Sequence, residues 1–456
     1  MSWPRFRSTG SVVISIGCVT AVGLTSALVF GPKALTAEFA LLTADVGWIM
    51  GGTGNPDPTP SYISEVEALF LTPPKELFPG QPTFDGYTFQ GLYTPEQFFP
   101  VTPTLVTPTG ESGLTFGQSL ALGVTDLNNA ITPQLAAGDE VAVFGYSQSA
   151  TLTTIEMDDL IAHPPAGVDL SDLHVVLIGD PNDPLTGILE RFYGAGTLPF
   201  LDVPLNGATP EVPFPTDIYT GEYDGWADFP QYPFNFLADA NAIAGILIVH
   251  PSYPTMSPDL LGSAIGIGTV GDTTFYMIPE QLPILEPLDQ IPYVGPVLGD
   301  AIAPELSVLI DWGYGNPGDP GGLGDGLAFG GAVGPWPIDL TASGVAGILP
   351  RLDPLQMLAA LQYAEVQSLV GPVDDILSYA GAQPLPQPVT TVLEVLTGYD
   401  LTNAVDAVMR DALTGVSQLP GLADLSPDVL FNGTPIIDGT PIIDAVGAVF
   451  SIINAL

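Results

Sequence analysis

Residues 141–157 read VAVFGYSQSATLTTIEM, and the fold turns on how this stretch is parsed. Glu140 to Phe144 is a short β-rich run, and Ala150 to Ala162 has the spacing of a helix. Between them lies Gly145-Tyr146-Ser147-Gln148-Ser149. A strand that passes into a helix through a sharp, small-flanked turn holds the central side chain at its apex. A serine hydroxyl is a poor nucleophile until a base takes its proton, and base and carbonyl must both reach it. The turn satisfies both needs, so Ser147 is the candidate nucleophile. Gly145 is one small flank. Ser149 stands where a second glycine is usual, and serine is the next-smallest residue that lets the turn close.

Outward from this point the same alternation recurs. Val46 to Met50 reads as a buried strand that enters Gly51-Gly52-Thr53-Gly54. A helical stretch follows near Tyr62 to Phe70, then a long Pro/Gly/aromatic loop from Thr72 to Glu111. Phe116 to Ala136 is spaced as a helix broken at Pro133. Downstream, His174 to Gly179 is a strand closed by Asp180, and Asp217 to Tyr223 is a strand that ends at Asp224. A helix around Asn235 to Gly245 leads to Ile246-Leu247-Ile248-Val249, read as a fourth strand, and then to His250. Short apolar strands alternating with helices predict an α/β domain with a parallel sheet. Beyond about residue 275 the pattern changes. Gly313 to Gly334 is a Gly/Pro/Asp loop, Leu355 to Leu456 is mostly helical in its spacing, and GTPIID occurs twice in succession from Gly433 to Asp444.

A serine nucleophile needs a base and an acid behind it. The chain has three histidines, His163, His174 and His250. In this kind of α/β domain the order along the chain is serine, acid, histidine. His163 follows the Ser147 helix with no strand between to carry an acid. His174 opens a strand, whereas catalytic groups gather where parallel strands end. His250 follows an apolar run at the correct end and is the candidate base. For the acid, Asp224 and Asp180 both end strands, with Asp228 a third option. Asp224 closes the third strand counted from Ser147, the usual place, within the turn Gly221-Glu222-Tyr223-Asp224-Gly225. Its part would be to hold the imidazole tautomer and stabilise the imidazolium. An oxyanion needs two backbone N–H donors. Gln148, directly after the nucleophile, is one candidate, and the Gly52-Thr53 loop after the first strand supplies the other.

Composition limits the alternatives. The 456 residues carry 7 Lys+Arg against 50 Asp+Glu, a formal net charge of −43. Nucleic-acid binding needs a basic surface to displace counterions, so nucleic acid is excluded as a partner. Hydrophobic residues make up 46%, enough for a sizeable core and too many for wholesale disorder. One cysteine and three scattered histidines make no zinc constellation, so no metal or other cofactor is expected. No G-K-[ST] follows the Gly51 loop, which rules it out as a phosphate loop. At the N-terminus Arg5 and Arg7 precede an apolar run from Val12 to Phe30, the pattern of a secretory signal peptide or an uncleaved signal-anchor. Cys18 lies in that run, so no internal disulfide is expected. An exported protein held at the membrane by residues 1–33 is the expectation.

Several segments together resemble a known family, the PE-PPE-domain serine hydrolases of mycobacteria, which are similar to cutinases. They are IMGGTGNPDPTPSYI (Ile49 to Ile63), TPEQFFPVT (Thr94 to Thr102), VFGYSQSATLTTIEM (Val143 to Met157), VLIGDPNDP (Val176 to Pro184), the run from Ile218 to Tyr253, and IPEQLPILEPL (Ile278 to Leu288). The resemblance implies an α/β-hydrolase fold, a parallel sheet flanked by helices, over roughly residues 45–340. It leaves residues 345–456 as a helical C-terminal extension. It maps the family's triad onto Ser147, Asp224 and His250, and makes serine at position 149 ordinary. No PE or PPE helical module precedes the domain in this sequence. Anchored relatives of this kind resemble enzymes that move fatty acyl chains between envelope glycolipids, trehalose esters included. The expected activity is therefore an esterase or acyltransferase working through an acyl-enzyme on lipid or glycolipid esters at the cell envelope. The alternative is a non-catalytic envelope protein that keeps the hydrolase-like shell to bind lipid or a partner.

Overall fold

The strands that build the core are apolar on both faces, as a parallel sheet covered by helices requires. The computed structural model describes residues 45–73, 83–102, 106–108, 110–232, 234–314, 354–386, 389, 393 and 396–418. Among these the strands are β1 Val46–Ile49, β2 Thr88–Gly91, β3 Val141–Tyr146, β4 Leu173–Ile178, the short ribbon β5 Thr197–Leu198 and β6 Val203–Pro204, β7 Thr216–Gly221, β8 Ile265–Val270 and β9 Thr273–Ile278. The α-helices are α1 Pro60–Val66, α2 Phe116–Ala137, α3 Gln148–Ala162, α4 Ile188–Arg191, α5 Phe236–Ile248, α6 Pro258–Gly262, α7 Glu286–Asp289, α8 Val294–Asp311, α9 Pro354–Tyr379 and α10 Tyr399–Ser417. The N-terminal apolar run, the Gly313 to Gly334 loop beyond Tyr314 and the GTPIID duplication lie outside the described residues. Among the described residues no helix is long and apolar enough to cross a membrane.

Seven strands form one sheet in the order β2-β1-β3-β4-β7-β9-β8. All neighbours are parallel except the closing pair, where β8 runs antiparallel to β9. Alternate residues face opposite layers. Val141 and Val143 join Leu127, Ile131, Val175 and Leu177 on one side. Ala142 and Phe144 join Ile49, Phe70, Val176 and Ile178 on the other. Burying one such side chain is worth about 1.5–3 kcal/mol relative to exposure, so the two layers hold the sheet rigid. The chain winds outward from β1 to β2, then returns to β3 and winds the other way. Ligands in open α/β sheets bind at that reversal, beyond the carboxyl ends of the strands. Ser147 follows β3 and the Gly51–Gly54 loop follows β1, one on each side of it.

The structure departs from the sequence expectations in three places. Ile246–Ile248 is the last turn of helix α5, and His250 opens a short 3₁₀ turn, His250–Thr255, instead of closing a strand. The cause is packing: Ala238, Asn241, Ala242 and Gly245 bury one face of α5, and the apolar run completes the helix while Leu247 faces solvent. A short apolar run is not told from a helix end by periodicity. Helix α2 is not broken at Pro133 but continues to Ala137. The proline lies on the exposed side, opposite the buried stripe Leu120, Leu127, Ile131 and Leu135, so the missing hydrogen bond falls on the side of the helix that faces away from the core. Third, β2 lies inside the stretch read as a loop, and β8–β9 form a hairpin past Asp224 that the pattern did not mark. The parallel strand after Asp224 is thus Thr273–Ile278. Beyond the sheet, α9 packs on α8 through Val308, Ala360 and Ala364, and the Ser368 hydroxyl donates to Glu305 Oε1 at 2.7 Å. Helix α10 meets α9 at the Tyr363 and Tyr399 rings, 5.0 Å apart.

Candidate active site

Ser147 sits between the last residue of β3 and the first of α3 with φ 59° and ψ −115°, a conformation a non-glycine residue rarely adopts. Such a backbone costs of the order of 1–3 kcal/mol and persists only where its surroundings enforce it. Gly145 is one enforcing contact, because a Cβ there would lie 2.9 Å from Ser149 O. Ser149 is another: its hydroxyl accepts the Tyr146 N–H at 2.7 Å and donates to Tyr146 O at 3.1 Å. The serine that replaces a glycine therefore ties the turn across its own base. The Ser147 N–H donates to Ile178 O, which fastens the turn to β4.

The imidazole of His250 lies between hydroxyl and carboxylate. Its Nε2 is 2.7 Å from Ser147 Oγ and its Nδ1 is 2.7 Å from Asp224 Oδ2. In the neutral ring, Nδ1–H donates to the carboxylate and Nε2 accepts from the serine hydroxyl, the tautomer a serine nucleophile needs. Asp224 is fully buried, yet each oxygen is served. Oδ1 accepts the Trp226 N–H at 3.0 Å, and Oδ2 accepts the Tyr253 hydroxyl at 2.9 Å besides the imidazole. Tyr253 is fixed in turn by the Gly221 N–H at 2.7 Å. The Tyr146 hydroxyl donates to His250 O, and the rings of Tyr146, Trp226 and Tyr253 surround the imidazole at 5.5, 6.3 and 6.1 Å. Tyr146 is half-buried and faces Asp224; desolvation first and that charge second push its phenol well above the usual range and keep it a hydrogen-bond donor.

The other acids and histidines are engaged elsewhere. Asp180 is fully buried, with Oδ1 accepting the Asn182 N–H and Oδ2 the Thr209 hydroxyl; burial raises its pKa to about 7. Asp228 accepts the Tyr223 N–H at 2.7 Å, and burial raises it to about 8 although Arg191 lies nearby. His174 pairs with Asp217 at 2.6 Å near the start of β4, and His163 is exposed at the end of α3.

The candidate oxyanion donors flank Ser147. Gln148 is the first residue of α3, so its backbone N–H has no partner within the helix. Its side chain is buried, with Nε2 donating to Gln97 O at 2.9 Å. On the other side a Cβ on Gly52 would lie 3.3 Å from Ser147 Cβ and 2.9 Å from the Tyr146 ring, so the Gly52-Thr53 turn is packed directly against the nucleophile. Sequence reasoning missed Tyr253, Trp226 and Gly179. Gly179 backs the site so closely that a Cβ on it would come within 3.2 Å of His250 Cε1. Tyr253 lies three residues past the histidine, which is the one local hint; the others are joined only through the fold.

Comparison with known proteins gives a consistent pattern. The family described as PE-PPE domain matches residues 85–315. The uncharacterized PPE family protein PPE28 of Mycobacterium tuberculosis is 41% identical over 287 residues, 62% of this chain and 41% of its own. Esterase PE16 of the same organism is 42% identical over 276 residues, 59% of this chain and 48% of its own. The SL1278 acyltransferase Chp1, also from that organism, is 25% identical over 325 residues, 68% of this chain and 72% of its own. The chain spans about half the length of the PE and PPE relatives it matches.

Proposed function

Because the chain belongs to the PE-PPE domain family, we propose that it is an exported serine esterase or acyltransferase that acts on lipid or glycolipid esters of the cell envelope. The observation that carries this reading is the unbroken line from Asp224 through His250 to Ser147, with both links at 2.7 Å. Similarity to one relative named an esterase and another named an acyltransferase supports the same chemistry. In the proposed reaction Ser147 Oγ attacks the ester carbonyl as its proton passes to His250 Nε2. The carbonyl oxygen takes up the negative charge opposite the N–H groups of Gln148 and the Gly52-Thr53 turn. Asp224 stabilises the imidazolium. The tetrahedral adduct collapses, His250 returns the proton to the departing alkoxide, and an acyl ester remains on Ser147. Water or a sugar hydroxyl, deprotonated by His250, then attacks that ester and frees the serine.

Hydrolysis and transfer share every step up to the acyl-enzyme and differ only in which acceptor enters. Export rests on Arg5, Arg7 and the apolar run after them, acting as a cleaved signal or as an anchor. A fluorophosphonate probe tests the core of the reading. Folded protein is expected to be labelled, and Ser147→Ala to lose labelling together with ester turnover, a drop on the order of 10⁶-fold for a lost nucleophile. Absence of label on folded parent protein would refute it. Incubation with a trehalose monoester then separates the two outcomes: diester indicates transfer, free fatty acid alone indicates hydrolysis.

A further inference from the structure

The segment Thr94–Gln97 plays no part in the chemistry above, yet it touches the elements on both sides of Ser147. The turn Gly52–Asn55 is closed by the Asn55 N–H donating to Gly52 O at 2.9 Å, with Gly54 at φ +88°. Glycine with positive φ at the third position marks a type II turn, which differs from type I by a flip of the central peptide. The N–H of that peptide belongs to Gly54 and donates to Glu96 O at 2.8 Å. One residue further, Gln97 O accepts the side-chain Nε2 of Gln148 at 2.9 Å. Two successive carbonyls thus hold the Gly52-Thr53 turn and the start of α3. The segment is itself pinned. The Gln97 N–H donates to Ser119 Oγ at 3.0 Å, Gln97 Oε1 accepts the Leu114 N–H at 3.1 Å, and Glu96 is held at φ 46°.

We propose that Glu96 and Gln97 are positioning residues that fix the two N–H donors of the oxyanion pocket relative to each other and to Ser147. This role rests on the acyl-enzyme reading above. It gives Glu96 a second property. Its carboxyl is buried, with Oε1 accepting the Thr94 hydroxyl at 2.7 Å and Oε2 without a hydrogen-bond partner among the described residues. It faces Tyr62 from α1, whose hydroxyl donates to Met50 O at the root of the Gly52 turn, and Tyr93 from its own loop. Tyr62 also interacts with Tyr146, and Tyr93 with Asp126, Glu111 and Asp57, and no cation faces Glu96 among the described residues. Burial raises its pKa to about 8, which leaves it neutral at pH 7. Ionisation at higher pH puts an uncompensated negative charge beneath the turn that has to receive the negative carbonyl oxygen.

The test is the pH profile of kcat on a soluble p-nitrophenyl ester. In the parent, kcat is expected to fall about fivefold between pH 8 and pH 9 as the single carboxyl ionises, and in Glu96→Gln that alkaline fall disappears. Gln148→Met, which removes the clamp and keeps the backbone donor, is expected to lower kcat by roughly 10- to 100-fold with KM within about twofold, the signature of misplaced transition-state contacts. An active parent whose alkaline fall is shared by Glu96→Gln overturns the part given to the carboxyl, and an unchanged kcat in folded Gln148→Met overturns the positioning role; both leave the esterase reading intact. A folded parent that neither turns over ester nor takes up a fluorophosphonate overturns the esterase reading as well. Should Gln148→Met fail to fold, Ser119→Ala, which removes the acceptor that pins the Gln97 N–H, is read by the same kcat and KM criteria.

Discussion

At the scale of single residues, the turn around Ser147 is constrained from several sides. Ser149 is the residue to test, because its hydroxyl is buried and satisfies both the N–H and the carbonyl of Tyr146. Ser149→Ala is expected to cost about 1–3 kcal/mol, since buried backbone groups lose a partner, and to lower the thermal midpoint measured by circular dichroism. An unchanged midpoint would mean that the hydroxyl ties nothing. Ser147 and the serine–acid–histidine order were legible because a nucleophile turn has a local spelling. The choice among Asp180, Asp224 and Asp228 was not fixed by any local pattern. All three lie near strand ends and are fully buried, and their difference lies in partners: Thr209 for Asp180, Tyr223 for Asp228, and the imidazole for Asp224. Tyr253 and Gly179 were invisible for the same reason, being contacts between segments far apart in the chain.

At the scale of elements, helix α5 carries the most consequence. Its sequence pattern reads as a helix followed by a strand, yet His250 reaches Ser147 from the end of a helix. The helix packs on the acid loop so closely that a Cβ on Gly245 would fall 1.8 Å from Tyr223 O. Gly245→Ala must therefore push α5 away from the Asp224 turn, and His250 moves with it. Overpacking of this kind costs roughly 1–3 kcal/mol. The expected outcome is a lower thermal midpoint together with slower fluorophosphonate labelling, while the same substitution at the exposed helical Gly415 lowers neither. The parallel strands β1, β3, β4 and β7 were each legible to within about three residues, because a buried parallel strand is a continuous apolar run. The strand β2 was not. It is short, at the sheet edge, and half-exposed, so it lacks that run.

For the whole molecule the governing quantity is charge. Buried or half-buried carboxyls have raised pKa values: Glu96 and Asp228 at about 8, Asp180, Glu156 and the half-buried Glu280 at about 7. In the unfolded chain these groups titrate near pH 4. Between roughly pH 4 and pH 8 the folded protein therefore binds more protons than the unfolded one, and stability falls as pH rises through that window. The net charge of −43 acts in the same direction, since self-repulsion eases as carboxylates are protonated. The thermal midpoint is expected to be higher at pH 5.5 than at pH 8.5, and added salt is expected to narrow the gap by screening the exposed charges. A midpoint that rises with pH would contradict this account. The reversal of winding between β1 and β3 carries a different lesson. The segments 50–55, 94–97, 222–226 and 249–253, which gather about Ser147, each hang from a separate part of the framework. These four carry the acid, the base and the turn facing Ser147, so they keep their length, while loops outside them can lengthen without breaking the ladders beneath. Descendants of one ancestral scaffold can in this way acquire new reach and new cargo, loop by loop, without reinventing the machine that holds the serine.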